Sequence, residues 1–252
     1  MHDDMHDPLH TFRFLRDWII ASILAFIAGT VLSWYTARVG LNLAEMLKSF
    51  LRMFIPDQGV GTVVLSLPKY VVTTTNVGAV VGACLSLGQG WVLNRWVPWA
   101  KEWLQASLVG AALSYVLMAA LNILAILLDP DPRLLKGLAD TGLWIGVIMG
   151  LAQWRVLRKY TSNAFWWVIA SVGLWTAGST LNHFWGQRLV RFLSGVLVLG
   201  LRRLLGIRNA GALRPFALVQ VLLWTFVSGV WGFIAGKVLA WLVSQPLEKE
   251  TA

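Results

Sequence analysis

Polar side chains are scarce within the apolar stretches of this sequence, and two glutamines recur there in the same context. Gln89 and Gln153 each lie seven residues after a glycine, so each shares a helical face with that glycine. An amide in apolar surroundings must find hydrogen-bond partners, and the nearest candidates are Ser107, Ser171 and the opposite glutamine. We expect these four residues to form a structural polar cluster that joins helices, with ligand binding by the amides as the alternative.

A second polar group lies toward the other end of the apolar stretches and contains Asn122, Asn182 and His183. A histidine inside a membrane suggests function by default, because an imidazole can bind a metal or the magnesium of a pigment. The alternative is that His183 lies at a helix end and meets lipid headgroups or a neighbouring Asn. These three residues are candidate ligand or pigment contacts. The sequence does not identify a cofactor; a bound lipid or pigment is the candidate, and no metal site is predicted.

Enzyme signatures are missing from the sequence. It contains no phosphate-binding loop, no His-Glu-x-x-His helix, no G-x-S-x-G elbow and no pair of carboxylates within an apolar stretch. We therefore predict a protein that is not an enzyme and assign no catalytic residue. Proton-coupled transport is also disfavoured, because it usually depends on carboxylates inside the membrane.

The composition places the chain among integral membrane proteins. Hydrophobic residues make up 57% of the chain and charged residues only 13%, about half the share in a soluble domain. The net charge of +9 is best explained by Lys and Arg that face anionic lipid headgroups, so no nucleic-acid partner is expected.

The polar cluster belongs to a duplicated segment. Residues 78–107 align with residues 142–171 at a constant offset of 64 positions without a gap, so that Gln89 corresponds to Gln153 and Ser107 to Ser171. Each copy contains two spans and therefore has the same orientation as the other. Small residues recur at four-residue spacing and predict close helix packing; the glycines concerned are Gly78, Gly82, Gly142, Gly146 and Gly150.

A third, partial copy is indicated at the two ends of the chain. The signature Trp-x-x-Ala-Ser of both copies also occurs at Trp18 to Ser22, at an offset of 85 from Trp103. The candidate for its missing partner helix is the last span, where Val238-Leu239 resembles the Val-Leu pairs of the copies. No glutamine occupies the matching place in that span.

Six stretches are long and apolar enough to cross a bilayer, which requires about 20 residues. They are residues 18–37, 70–93, 103–128, 138–157, 165–185 and 216–243. Two further segments, 38–55 and 187–207, have the polar stripe of helices that lie in the membrane interface. A tilted or re-entrant segment is the alternative for 187–207.

The predicted fold is thus an all-α integral membrane protein with six transmembrane helices, a parallel-duplicated helical hairpin and two interfacial amphipathic helices. It forms a single bundle over residues 18–243, with an N-terminal tail at 1–17 and a C-terminal tail at 244–252. Basic residues occur at both faces of such a bundle, so the charge rule for cytoplasmic loops does not orient it.

The second copy resembles a recurrent pattern in uncharacterised bacterial multispan membrane proteins. The pattern consists of a G-x-x-Q-W-x-V-L-R turn, here Gly150 to Arg158, followed by a W-W-x-x-A-S helix, here Trp166 to Ser171. The first copy matches loosely, with Gly90 in place of the Trp and Asn94 in place of the Arg. The resemblance implies a membrane hairpin architecture and no catalytic residue.

The sequence therefore predicts a non-enzymatic integral membrane protein that acts as a structural or accessory subunit, packed against other membrane proteins, lipids or pigments. The alternative is a small-molecule or lipid transporter or channel. Expected partners are membrane lipids together with other integral membrane proteins or further copies of the chain. The expected location is a bacterial inner or internal membrane.

Overall fold

The computed structural model describes residues 8–55, 60–128, 142–181, 186–205 and 215–245. Within these ranges the chain forms seven helices and no strand, which confirms the predicted all-α class. The helices are α1 (Pro8–Leu51), α2 (Val60–Leu93), α3 (Ala100–Leu128), α4 (Leu143–Leu157), α5 (Phe165–Leu181), α6 (Gln187–Leu205) and α7 (Pro215–Val243).

Three of the helices are long and apolar enough to cross a membrane. The stretches concerned are His10–Leu51 in α1, Ala100–Leu121 in α3 and Val221–Val243 in α7. Three of the six predicted spans are therefore matched by length and composition. The other three correspond to shorter apolar stretches of described residues, which are Ala79–Leu93, Leu143–Leu157 and Phe165–Leu181. At a rise of about 1.5 Å per residue, such stretches reach less than the roughly 30 Å of a hydrocarbon core.

Six of the helices form a closed ring. Contacts run in the order α1, α2, α3, α4, α5 and α7, and α7 returns to α1. The first and last helices are antiparallel, since Gly229 lies against Ile23 while Gly236 lies against Trp18. Helix α6 packs against α7 outside this ring.

Helix α1 corrects the expected boundaries at both of its ends. The sequence predicts an N-terminal tail at 1–17 and a separate interfacial helix at 38–55, but α1 runs unbroken from Pro8 to Leu51. Proline suits the first position of a helix, and the only helix breaker near the expected junction is Gly40, which costs about 1 kcal/mol and does not end a helix. Residues 38–51 therefore continue α1 instead of forming a second helix in the interface plane.

The continuation of α1 pairs with the beginning of α2. Gly29 of α1 lies against Val81 of α2. In an antiparallel pair, moving 15 residues forward along α1 corresponds to moving 15 residues back along α2. Ala44 therefore lies opposite position 66. Ala44 and its near neighbour in that register, Leu65, are both fully buried. We call this two-helix projection, residues 38–55 and 60–69, the arm.

The glycines of α4 lie directly on α5. A Cβ atom added to Gly146 would stand 2.7 Å from Cα of Val172, and one added to Gly150 would stand 3.1 Å from Cα of Val168. Gly142 caps α4 with a φ of 68°, and an added Cβ would meet the Trp175 carbonyl oxygen at 2.6 Å. The backbones of α4 and α5 thus approach as closely as glycine permits.

Gly82 of α2, the counterpart of Gly146, faces its neighbouring helix less tightly. A Cβ atom on Gly82 would meet Cβ of Ala111 on α3 at 3.0 Å. Gly78 belongs to α2, but its surroundings lie outside the described residues.

A dense aromatic core closes the end of the ring where the short turns lie. Trp18, Trp103 and Trp167 are nearly inaccessible, and the rings of Trp103 and Trp167 meet edge to face with centroids 5.1 Å apart. The apolar side chains packed with them include Leu93, Leu157, Leu239, Leu242, Val92 and Phe14. We call this core the plug.

Candidate functional site

The polar cluster predicted from the duplicated segment is partly assembled just above the plug. Nε2 of Gln153 donates a hydrogen bond to Oγ of Ser107 at 2.8 Å, which joins α4 to α3. Oε1 of Gln153 accepts a hydrogen bond from the indole N–H of Trp167 at 2.7 Å, which joins α4 to α5. All three residues are buried, so the Gln153 side chain satisfies its polar atoms by linking three helices.

The corresponding residues of the preceding hairpin are not bonded to one another. By the offsets of 64 and 85 positions, Gln89 corresponds to Gln153, Trp103 to Trp167 and Ser22 to Ser107. In the described part of the chain the Gln89 side chain makes no hydrogen bond. The buried Nε1 of Trp103 and Oγ of Ser22 likewise have no partner. The same three residue types therefore occur twice. We call the bonded set Gln153, Ser107 and Trp167 the closed triad. We call the unbonded set Gln89, Ser22 and Trp103 the open triad.

A third triad lacks its amide. Helix α7 lies against α1 in the ring, and its Val238-Leu239 pair places Ala235 where the other triads have glutamine. The remaining members are Ser171 and Trp18. Nε1 of Trp18 is buried without a partner, and the Ser171 hydroxyl makes no hydrogen bond within the described ranges. Ala235 has no side-chain atom that could bond to either group.

A cavity lies at the centre of the ring, and residues of all three triads contribute to its wall. Its volume is about 70 Å³. A cavity needs about 10–15 Å³ of such space to hold one water molecule, so this one has room for more than one. The lining residues come from α1, α2, α4, α5 and α7; they include Ser22, Phe26, Gln89, Gln153, Trp167, Ser171, Trp175, Ser228, Trp231 and Ala235.

The cavity wall combines aromatic faces with uncharged polar groups. Trp175 and Trp231 meet edge to face with centroids 4.3 Å apart. The described lining contains no Asp, Glu, Lys, Arg or His. Among its polar side chains, Ser228 satisfies its hydroxyl by donating to the Thr225 carbonyl oxygen at 2.8 Å, whereas Ser22, only 2% exposed, has no partner. The site therefore suits an uncharged ligand with hydrogen-bonding groups.

The second predicted polar group cannot be assigned a geometry. Asn182 and His183 lie outside the described residues, and Asn122 belongs to α3 with a side chain that is likewise outside them. Their proposed role as ligand or pigment contacts stays a prediction.

A charged contact ties the two short turns together below the plug. Nζ of Lys159 lies 2.6 Å from Oε2 of Glu102, and the Tyr160 hydroxyl donates to Oε1 of Glu102 at 3.2 Å. The hydrogen bond from Lys159 holds the pKa of Glu102 below its usual range. Burial, and then the neighbouring Glu102, raise the pKa of the Tyr160 hydroxyl.

Two features of the site are missed by the sequence reasoning. The sequence analysis gives tryptophan no hydrogen-bonding role, yet Trp167 is a hydrogen-bond donor to Gln153. The available signal is the constant separation of 14 positions between each Gln and the next Trp of the signature. Ser22 is recognised as part of a partial repeat, but its position in the wall of a cavity follows only from ring closure by α7.

Comparison of the chain with protein-family models, with curated proteins and with solved structures gives no match. The resemblance to bacterial multispan proteins therefore stays a prediction.

Proposed function

We propose that this chain is a non-enzymatic, six-span membrane protein that serves as an accessory subunit and docks other membrane proteins through its arm. The closed ring supports the six spans, because α2, α4 and α5 are ring members between helices long enough to cross the bilayer. A ring helix that stopped inside the hydrocarbon would expose unpaired backbone groups there. A bacterial inner or internal membrane is the proposed location.

Charged residues bracket the membrane-embedded part of the bundle. In α1 no charged residue occurs between Asp17 and Arg38, and in α2 none occurs between Lys69 and Arg95. Twenty residues of α helix span about 30 Å, which matches a hydrocarbon core. If these uncharged stretches lie in the hydrocarbon core, the turns lie at one membrane surface and the beginning of the arm lies at the other.

The observation that carries the proposed function is the length and exposure of the arm. With 44 residues, α1 is about 66 Å long, so tilt cannot place it all in the bilayer. The residues beyond Arg38 extend about 20 Å from the membrane surface. Their large apolar side chains are exposed in the isolated chain: Met46 68%, Phe50 53%, Met53 73% and Phe54 69%.

Lipid tails cannot cover an apolar surface that lies outside the hydrocarbon. A contiguous exposed apolar patch marks an interaction site. The arm also carries Arg38, Glu45 and Lys48, so its surface offers both apolar and charged contacts to a partner helix. A partner that reaches the arm so close to the bilayer is best supplied by another membrane-anchored protein.

Helix α6 is proposed to anchor the same side of the bundle in the interface. It exposes Phe192, Val196 and Leu199 while carrying Arg188 and Arg191 in its first turns. Apolar side chains of such a helix enter the headgroup boundary, and its arginines favour anionic lipids. It is not among the helices long and apolar enough to cross a membrane in the described part of the chain.

Site-specific photo-crosslinking in native membranes tests the docking role. A benzophenone amino acid in place of Phe50 on the arm is expected to give a crosslinked product of discrete mass that contains another membrane protein. The matched control replaces Val116 on α3, which is 65% exposed within a spanning stretch and is expected to crosslink lipid only.

The mass of the product separates the outcomes. A product at about twice the 28.0 kDa of the chain would identify a second copy as the occupant of the arm. Lipid adducts alone at position 50, as at position 116, would overturn the docking role.

The central cavity favours a second candidate, a transporter or channel for small molecules. Its uncharged polar wall would admit a neutral solute. The plug counts against a continuous pore, because Trp18, Trp103 and Trp167 fill the ring between the cavity and the turns. Uptake of small neutral solutes into proteoliposomes, compared with empty vesicles, would favour transport.

A further inference from the structure

We propose that the central cavity is a binding site for a small uncharged carboxamide-like group that takes the place of the glutamine missing from the third triad. This inference is independent of the docking role of the arm. In the closed triad, the Gln153 amide accepts a hydrogen bond from Trp167 and donates one to Ser107. The other two triads lack an amide that is bonded in this way.

The unpaired groups of the other triads are those that the closed triad satisfies. Trp18, Trp103 and Ser22 each bury a polar atom that has no partner among the described residues, and buried polar atoms are normally paired. Ser22 points to a ligand most directly, because it is 2% exposed, unpartnered and part of the cavity wall.

The dimensions of the cavity fit such a group. Ala235, where the other triads have glutamine, lines the cavity together with Ser171, Ser22 and Gln89. A space of about 70 Å³ suits a small group, such as a glutamine side chain or propionamide, each of which has five non-hydrogen atoms. A haem or chlorin is far too large for this space.

The chemistry of the wall selects the ligand class. Ser22, Ser171 and Gln89 each offer a donor and an acceptor, so they match a group that carries both. No charged side chain among the described lining residues would stabilise an ionic ligand, and burying an unpaired charge is costly. A free solute and the head of an uncharged lipid are two sources of such a carboxamide, since both present the same atoms.

Two probes distinguish these sources. Propionamide represents the free solute, and oleamide, which carries the same carboxamide on a long acyl chain, represents the lipid. The melting temperature of the purified full-length protein in nanodiscs is followed by tryptophan fluorescence as each probe is added. A ligand that binds only the folded protein raises this temperature.

The decisive variant is Ala235→Gln, which supplies the missing amide covalently. It is expected to melt several degrees higher than Ala235→Leu, which adds similar volume without hydrogen-bonding atoms. It is also expected to bind the responding probe at least tenfold more weakly than the wild type does. Ser22→Ala keeps the test open if neither substitution at position 235 folds, with an expected weakening of threefold to tenfold for one lost hydrogen bond.

Each outcome bears on the proposal. A response of the wild type to propionamide assigns the site to a free solute, and a response to oleamide alone assigns it to a lipid head. Equal responses of wild type and Ala235→Gln, or no response to either probe, would overturn the proposal. Ser114→Ala serves as the control, because Ser114 is a buried serine outside the cavity wall that bonds only to the Gly110 carbonyl oxygen.

Discussion

Trp167 donates its indole N–H to the side-chain oxygen of Gln153, 14 residues earlier on the neighbouring helix, at 2.7 Å. Trp103 and Gln89 have the same types and the same separation, yet neither is bonded to the other. The two hairpins therefore differ in how they use identical residues. One uses its amide to bind helices together, and the other presents it to a cavity.

The closed triad predicts that the two glutamines contribute unequally to stability. Gln153→Leu removes an acceptor from Trp167 and a donor from Ser107, so it should destabilise the protein by about 1–3 kcal/mol. Gln89→Leu breaks no hydrogen bond within the described structure and should cost much less. Thermal unfolding of both variants in the same detergent measures the difference, and equal losses would contradict it.

The sequence is sufficient to predict this polar cluster only in part. The apolar surroundings of Gln89 and Gln153 require partners for both amides, and that reasoning identifies Ser107. It cannot distinguish the bonded from the unbonded copy, because both copies carry the same Gln and Trp at the same separation of 14 positions. The difference depends on which helix packs on the far side of each hairpin.

The helical class and most helix ends can be predicted from the composition and from the helix-breaking residues of the sequence. The length of α1 cannot be predicted in this way. The charged residues after Ala37 suggest the end of a span, whereas the backbone continues because nothing there opposes a helix. Pairing with α2 buries Ala44 and Leu65 and stabilises the continuation. Such tertiary contacts are not visible in the periodicity of one segment.

The close approach of α4 and α5 predicts a strong difference between two glycines on these helices. In Gly146→Ala the new Cβ would meet the Val172 Cα at 2.7 Å and the Ser171 carbonyl oxygen at 2.9 Å, both of them backbone atoms. The helices must separate, at a cost of about 1–3 kcal/mol. Gly173→Ala meets nothing within 4 Å and should be neutral or slightly stabilising.

Denaturation in mixed detergent micelles compares these two variants directly. A loss of stability in Gly173→Ala as large as that in Gly146→Ala would show that helix packing is not the cause.

The contact between Glu102 and Lys159 predicts a small dependence of stability on pH. Because the folded pKa of Glu102 lies below its usual value of 4.5, the contact contributes stability at neutral pH. This contribution is lost as the pH falls through the lowered pKa. The effect should be modest, since both side chains are largely exposed.

The variant Glu102→Gln isolates this contribution. Its melting temperature should lie slightly below that of the wild type at pH 7, and the gap should close in acid. A gap that stays constant between pH 7 and pH 3 would exclude a role for the Glu102 carboxylate.

The ring predicts the sidedness of the chain. With six spans, the turn that contains Asn94 and the tip of the arm at Met53 lie on opposite sides of the membrane, and both positions are exposed. In a Cys84→Ala background, which removes the single cysteine of the sequence, Asn94→Cys and Met53→Cys provide one label site each. A membrane-impermeant maleimide added to sealed vesicles should label one variant, and vesicles of inverted orientation should label the other. Labelling of both variants from the same side would contradict a spanning α2, since α2 alone separates the two positions. It would also remove the basis for placing the arm outside the bilayer.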